Sequence, residues 1–410
     1  MNPHAVLLVM NAGSSSIKFA CFRQASFDAA PLPCLQGELV DGGQQRRLTL
    51  ATGDNRWEEA VSARARSGGA EEALGQILDT VCRLVREGAI TPEAGTIAAV
   101  GHRIVHGGEA FAGPVVITAD VRQSLEQLVP LAPLHMPHNL GAIDVVSARL
   151  PEARQVACFD TAFHQTCPPA ARRFAIPRHY HDAGLKRYGF HGLSYEYVAR
   201  RFAALTERLP RRVVLAHLGA GASLCGLLDG KSVTTTMGYT PLDGLVMATR
   251  CGSLDPGVVL ALATRFGHSV PEIEAVLSTQ SGLLGVSGVS GDMATLLAAN
   301  DPQAEEAIEL FCRAIVRETA AAAAELGGLD ALVFTGGIGS HSPAIRQRVC
   351  QGLTWLGVSL SPQANREAAL ESRLDTGSGP ALWTIKTDEQ LVIAEHVLQV
   401  LKRLGQPSSG

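Results

Sequence analysis

The chain has 410 residues, 46% hydrophobic and 18% charged, with 42 glycines and nine cysteines. Its 35 basic against 39 acidic side chains give a formal net charge of -4, which excludes the electrostatic footprint of a nucleic-acid or anionic-membrane binder and leaves a small-molecule partner. The length favours two domains over a single core, with ligand binding expected in a cleft between them.

The N-terminal apolar run is too short for a signal-peptide core and lacks a basic lead-in. No stretch approaches the ~20 apolar residues of a membrane span, so a cytoplasmic location is expected. The cysteines, scattered from Cys21 to Cys350, form no C-x-x-C pair and read as reduced, mostly buried apolar residues.

The chain opens on "VLLVMNAGSSSIKFACF", residues 6 to 22. The continuous aliphatic run Val6 to Met10 predicts a central strand buried on both faces, and the turn after it crowds Asn11, Gly13, Ser14, Ser15, Ser16 and Lys18 into a set of hydrogen-bond donors. "IKFACF" and "GELVDGGQQRRLTLATG" read as further strands of an antiparallel unit, punctuated at Gly42 and Gly43. Residues 70 to 88 carry apolar positions at helical spacing and end at a glycine, and "IAAVGHRIVHGG" returns to a strand and a glycine turn. Strands, helix, strand and helix make a mixed α/β unit.

The second half repeats the opening. "VVLAHLGAGASLCGLLDGKSVTTT", residues 213 to 236, is again an apolar strand, a Gly/Ser turn and a second strand, then a hairpin at Asp229 and Gly230. Set on the first segment with Gly13 against Gly221 and Ser15 against Ser223, it predicts duplicated domains, each presenting one glycine turn; chance similarity of two strands with glycine turns is the alternative. "LDALVFTGGIGSHSPAIRQRVCQGL" adds a third strand, glycine turn and helix. A helix N-terminus fed by such a turn offers backbone N–H groups to an anion, and three of these turns suit a phosphate chain held from several sides.

Familiar nucleotide signatures fail. Gly230, Lys231 and Ser232 resemble the end of a Walker motif, but Cys225 stands where its first glycine is required. No G-x-G-x-x-G opens a helix, and Gly288, Ser290 and Gly291 do not form a G-x-S-x-G elbow. The histidine pairs His102/His106, His135/His138 and His179/His181 sit beside Pro or Gly instead of in helical runs, which favours packing or positioning over a zinc site.

Arg103 lies in an apolar strand before a double glycine, and Arg250 lies in the glycine-rich loop "GLVMATRCGSLDPG". A guanidinium in apolar surroundings needs an anionic partner: an oxyanion ligand, or a structural salt bridge with an acid such as Asp160 or Asp255. Asp160 in "CFDTAFH", with Asp388 and Glu389 in "KTDEQLVIAEH", suits Mg²⁺, which takes a few oxygen ligands and keeps its waters. Helix capping is the alternative for Asp388. His191, between aromatics and glycine in "RYGFHGLSYEYV", fits a packed core residue as well as a catalytic one.

These segments, together with "LAPLHMPHNLGAI", "FDTAFHQT", "HLGAGASL", "SVTTTMGYTPLDGL", "TRCGSLDPG" and "FTGGIG", resemble the acetate kinase (acetokinase) family over nearly the whole chain. The resemblance implies an α/β protein of two duplicated actin-like (ribonuclease H-like) domains, with mixed sheets flanked by helices and a nucleotide cleft between them. The domains would span 1–160 plus 387–410 and 161–386. It further implies a cytoplasmic homodimer that transfers the ATP γ-phosphoryl to acetate reversibly and in line, with Mg²⁺ as the metal and Mn²⁺ as a substitute.

On the same resemblance, Arg103 and Arg250 would hold the acetate carboxylate and the transferring phosphoryl, with His191 and Asp160 completing the catalytic set. Val105, Leu134, Phe190 and Pro241 would form the methyl pocket, Arg103 would bind the substrate beside it, and His135 would help to shape the site. Ser14, Ser16, Lys18, His217, Gly219, Gly221, Gly336, Gly337 and Gly339 would face the nucleotide. Asn11 and Glu389, with Asp160, would position the metal and its waters.

The chain departs from the family pattern at Ala220, where Asn is frequent, at Tyr195, where a second histidine is common, and at Thr234, Ser253 and Ser340, where acids are usual. These departures bear on nucleotide and metal binding. Propionate kinase, a nucleotide-dependent switch protein and an inactive paralogue are the competing functions.

Overall fold

The computed structural model describes residues 6–13, 16–23, 29–41, 46–53, 55–61, 70–90 and 95–405. The chain divides into two compact units, Met1–Ala162 with Asp388–Gly410, and Phe163–Thr387.

In the first unit, β1 (Val6–Ala12), β2 (Ser16–Arg23), β3 (Leu32–Asp41), β4 (Arg46–Thr52), β5 (Asn55–Val61), β6 (Ile97–Ile104), β7 (Val115–Val116) and β8 (Arg154–Phe159) form one sheet in the order β5-β4-β3-β2-β1-β6-β8-β7. Strands β1, β6 and β8 run parallel; β2 to β5 meander antiparallel from β1. As the aliphatic run predicts, β1 is buried on both faces. Val6, Leu8 and Met10 join a core with Leu74, Ile77, Leu78, Val81 and Val85, the i, i+3, i+4 stripe of the helix Ala70–Arg86. On β6 next to it, a Cβ at Gly101 would lie 2.5 Å from Ile393 of the C-terminal helix Glu389–Gly405, so glycine lets helix and sheet close. The Gly42 and Gly43 turn lies outside the described residues.

In the second unit, β9 (Arg212–Leu218), β10 (Ala222–Leu228), β11 (Lys231–Thr235), β12 (Ala331–Thr335), β13 (Glu371–Arg373) and β14 (Ala381–Ile385) are ordered β11-β10-β9-β12-β14-β13. Again β9, β12 and β14 are parallel, and β10 and β11 follow β9 antiparallel. The hairpin read at Asp229 and Gly230 is there, both residues having positive φ as a tight two-residue turn requires. Helix Gly192–Leu205 lays Tyr195, Val198, Ala199 and Phe202 on Val213, Leu215 and Cys225.

The two sheets share one five-strand plan, β3-β2-β1-β6-β8 and β11-β10-β9-β12-β14. Strand ends correct the register of the internal match: β1 stops at Ala12 and β9 at Leu218, so Gly13 corresponds to Gly219, two residues earlier than the pairing with Gly221.

Candidate active site

In the first unit, Asn11, Arg103 and Asp160 come from the C-terminal ends of three adjacent parallel strands, where open α/β sheets place ligands. Asp160 follows β8 and its N–H donates to Ile104 O at 3.0 Å, which brings it beside Arg103. Arg103 Nε donates to Asp160 Oδ1 at 3.0 Å and Nη2 to Oδ2 at 2.6 Å, while Nη1 donates to Asn11 Oδ1 at 3.2 Å. Glu389 Oε2 lies 3.6 Å from Arg103 Nε.

Of the two readings for Arg103, the structure therefore contains the ion pair with Asp160. The pair is not sealed in: the Asp160 side chain is 1% exposed, but that of Arg103 is 20%. Burial opposes the arginine charge, Asp160 and then Glu389 outweigh it, and the Arg103 pKa rises above its ordinary value. Asp388 does cap the C-terminal helix, accepting from Leu391 N at 2.9 Å, which separates its role from that of Glu389.

Around this cluster, Val105 is buried, and its N–H donates to Asn139 Oδ1 at 3.0 Å. Asn139 Nδ2 in turn donates to Ala12 O at 3.0 Å, so one buried amide ties the end of β1 to the end of β6. His135 is the N-cap residue of the helix Met136–Arg149, and Leu134 is 42% exposed. Ser14 lies outside the described residues. Ser16 is half-buried at the start of β2, and Lys18 forms an exposed 3.5 Å ion pair with Glu38 on β3. Lys18 stands opposite Asn11 in the β1–β2 ladder.

The second unit assembles its own cluster at the ends of β9 and β12. His217 on β9 pairs across the ladder with Ser223 on β10, which puts both side chains on one face. His191, in left-handed backbone at φ 60°, caps the helix Gly192–Leu205 and stacks on His217 with ring centroids 4.3 Å apart. Its Nδ1 lies 2.8 Å from Ser223 Oγ, and Ser194 Oγ lies 2.8 Å from His217 Nδ1. Tyr195 OH also meets Ser223 Oγ.

Three glycine segments adjoin these rings. A Cβ at Gly221 would lie 3.0 Å from Arg250 Nη2 and 3.3 Å from His191 Nε2, so the turn, the arginine and the imidazole converge. Ala220 O accepts from Ala248 N at 3.1 Å, and Arg250 Nη1 donates to Pro241 O at 2.6 Å, which together fix the arginine loop. Gly336, at φ 76°, approaches so closely that a Cβ would stand 2.5 Å from Leu218 O, and Gly337 N faces Gly219. The Gly336–His341 helix carrying Gly339 begins directly at β12.

Fully buried Arg346 braces this last segment through the carbonyls of Gly339 and Ser340, each at 2.9 Å, and through Asn365. Phe190 is buried, and its carbonyl is 2.9 Å from His164 Nε2. Ser253 Oγ donates to Asp243 Oδ1 at 2.9 Å.

The sequence motifs contain Asn139, Ser194, Ser223 and Arg346 but assign none of them a site role. Their partners lie up to 127 positions away in the chain, beyond any local pattern. For metal chemistry, Asn11, Asp160 and Glu389 offer oxygen donors alone, the set Mg²⁺ selects. No group of three or more His, Cys, Asp and Glu among the described residues is placed to hold a metal.

A mixed α/β protein with two parallel-centred sheets and arginine-centred polar clusters at their strand ends fits the phosphotransferases. The acetokinase family pattern matches residues 6–395, and the chain belongs to that family. It is 47% identical to an acetate kinase of Rhodopseudomonas palustris (strain TIE-1), covering 96% of this chain and 97% of the relative. Its structure is similar to a propionate kinase from Francisella tularensis (TM-score 0.85, 34% identity, 96% of this chain and 98% of that one). It is likewise similar to the acetate kinase of Porphyromonas gingivalis (TM-score 0.84, 32% identity, 97% and 100%).

Proposed function

We propose that the protein is an acetate kinase, transferring the ATP γ-phosphoryl reversibly and directly to acetate to give acetyl phosphate and ADP. The observation that carries this reading is the gathering of motif residues from across the chain into two polar clusters, one around Arg103 and one around Arg250.

An acetate carboxylate is ionised at pH 7, so no base is needed to activate it. The barrier is electrostatic: two anions must approach, and the transferring phosphoryl spreads its charge over three oxygens in a loose transition state. Arg103 and Arg250 supply fixed positive charge for the carboxylate and the phosphoryl, and His191 donates a hydrogen bond as charge develops. Asp160 and Glu389 keep the Arg103 fork oriented. The Gly219–Gly221 and Gly336–Gly339 segments bring main chain close to the nucleotide phosphates, with His217 beside them, and Ser14, Ser16 and Lys18 complete the nucleotide set.

Asn11, Asp160 and Glu389 would position Mg²⁺ and its waters, and the ion would supply neutralisation of phosphate charge. Val105, Leu134, Phe190 and Pro241 receive the methyl group. The units are read as a duplicated pair of domains, 1–160 plus 387–410 and 161–386.

A cytoplasmic homodimer is part of the reading. Among the described residues no helix is long and apolar enough to cross a membrane, and all nine cysteines are free thiols. Leu254, Val258, Leu260, Phe266, Val270 and Leu310 of the second unit are exposed. A cavity of about 760 Å³ opens beside Leu254 and Leu310. So many exposed apolar side chains in one unit suit a face covered by a second copy.

Propionate is the competing substrate, favoured by the structural similarity to the Francisella tularensis propionate kinase. One methylene in an apolar pocket is worth ~1 to 3 kcal/mol. Acyl-hydroxamate formation with ATP and Mg²⁺, compared for acetate, propionate and butyrate by kcat/KM, tests the assignment. A preference for acetate supports it; a preference for propionate keeps the mechanism and changes the substrate.

A further inference from the structure

Tyr195, which departs from the family pattern, sits where it can act on the catalytic imidazole. It is fully buried, on the first turn of the helix that His191 caps, and its hydroxyl meets Ser223 Oγ. Ser223 is also fully buried and lies 2.8 Å from His191 Nδ1. Phe163 and His164 pack their rings against the phenol, and Ser223 is its hydrogen-bond partner among the described residues.

We propose that Tyr195 is a positioning residue that acts through Ser223 to fix His191 as the Nε2–H tautomer. The inference rests on the kinase reading above only for the consequence to catalysis. A buried phenol keeps its proton, and burial raises the Tyr195 pKa further. Its O–H must therefore be donated, and Ser223 Oγ accepts it.

Ser223 has one proton of its own, and the second neighbour of its oxygen is His191 Nδ1. Ser223 Oγ could accept from both neighbours, but its own buried O–H would then lack an acceptor among the described residues, so the serine donates to His191 and Nδ1 is the acceptor. A neutral imidazole that accepts at Nδ1 carries its proton at Nε2. That is the nitrogen 3.3 Å from the place a Gly221 Cβ would take, with Arg250 Nη2 3.0 Å from the same point. In that tautomer His191 presents Nε2–H as a donor toward the Gly221 turn.

A tyrosine that only fills the core predicts something different. Tyr195→Phe keeps the ring and removes the donor, so a packing role would leave His191 untouched. On the relay reading, Ser223 in this variant turns to accept from His191 Nδ1–H and the tautomer population moves toward Nδ1–H. The measurement is magic-angle-spinning NMR of the full chain labelled with ¹³C,¹⁵N-histidine at pH 7.5 without substrates, with His191 assigned by difference against His191→Gln.

The expected spectrum has an unprotonated Nδ1 and a protonated Nε2 in the wild type. Tyr195→Phe and Ser223→Ala should both lose this pattern, and Tyr195→Phe should lower kcat ~5-fold at unchanged KM for acetate, the scale of one neutral hydrogen bond. A wild-type His191 protonated at Nδ1, or a Tyr195→Phe spectrum identical to wild type, overturns the relay. Because the spectrum needs no substrate, it decides the relay even if the wild type forms no acyl phosphate, the outcome that would overturn the kinase reading instead.

Discussion

Arg103 and Asp160 meet fork to fork, with Nε to Oδ1 at 3.0 Å and Nη2 to Oδ2 at 2.6 Å, and Glu389 flanks the same guanidinium at 3.6 Å. The pair gives the first unit a rigid cation at the ends of its parallel strands. It also leaves a buried carboxylate dependent on that cation.

Arg103 variants should therefore lose both turnover and stability. Arg103→Ala should reduce kcat by ~10³ or more and lower unfolding stability by ~3 kcal/mol, the scale for breaking one side of a buried pair. Adding Asp160→Leu should restore part of the stability and none of the activity. Urea unfolding alongside steady-state kinetics separates the two effects; a variant with near-wild-type turnover removes Arg103 from the mechanism.

Arg250 Nη1 donates to the Pro241 carbonyl at 2.6 Å, which holds the guanidinium in its loop. Arg250→Ala should also cost ~10³ or more in kcat, and a folded variant with near-wild-type turnover would remove Arg250 from the mechanism. Arg250→Lys should recover little, since an ammonium lacks the planar fork.

At Gly221 a methyl group would press on Arg250 Nη2 and His191 Nε2 at 3.0 and 3.3 Å. The flexible guanidinium can yield, so Gly221→Ala should fold normally, but its displacement should lower kcat ~10²-fold. Gly336→Ala meets backbone, Leu218 O at 2.5 Å, in a left-handed conformation, and should be destabilised as well. Equal thermal stability of the two variants would contradict this distinction.

Acid should weaken the fold through buried neutral histidines. Burial lowers the pKa of His102 and of His164 from 6.5 to about 4. Between pH 6.5 and 4 the unfolded chain binds more protons at these sites than the folded one, so stability falls as pH falls through that window and the penalty levels off below pH 4. Each site contributes roughly 3 kcal/mol at most. Urea unfolding at pH 7 and pH 5 should show the drop, and His102→Gln should reduce it.

The exposed apolar residues of the second unit bear on assembly. If a second copy covers them, Leu260→Lys with Phe266→Asp should halve the mass seen by light scattering, while the unpaired chain keeps its circular dichroism. A wild-type monomer would contradict the homodimer.

Much of this arrangement was legible in the sequence because it rests on local patterns. The run Val6 to Met10 predicts a doubly buried strand, the 70–88 periodicity predicts the helix Ala70–Arg86, and Asp229 and Gly230 predict a hairpin. Arginines beside glycines mark both clusters. Of the two acids offered as examples of a salt-bridge partner, Asp160 pairs with Arg103, whereas Asp255 caps a helix at Gly257 N.

Side-chain bonds between distant segments were not legible. Nothing near Asn139 in the chain shows that it ties β1 to β6, and nothing near Tyr195 shows that it reaches His191 through Ser223. Glycine-to-glycine matching also sets the turn register two residues off, because it ignores where each strand stops.

The central claim is direct transfer between an acyl phosphate and a nucleotide, and ³¹P NMR of the purified protein with acetyl phosphate, ADP and Mg²⁺ tests it most directly. The acetyl phosphate signal should fall as the ATP γ-phosphate signal rises in equal amount. Release of inorganic phosphate without ATP, or no change, would contradict it.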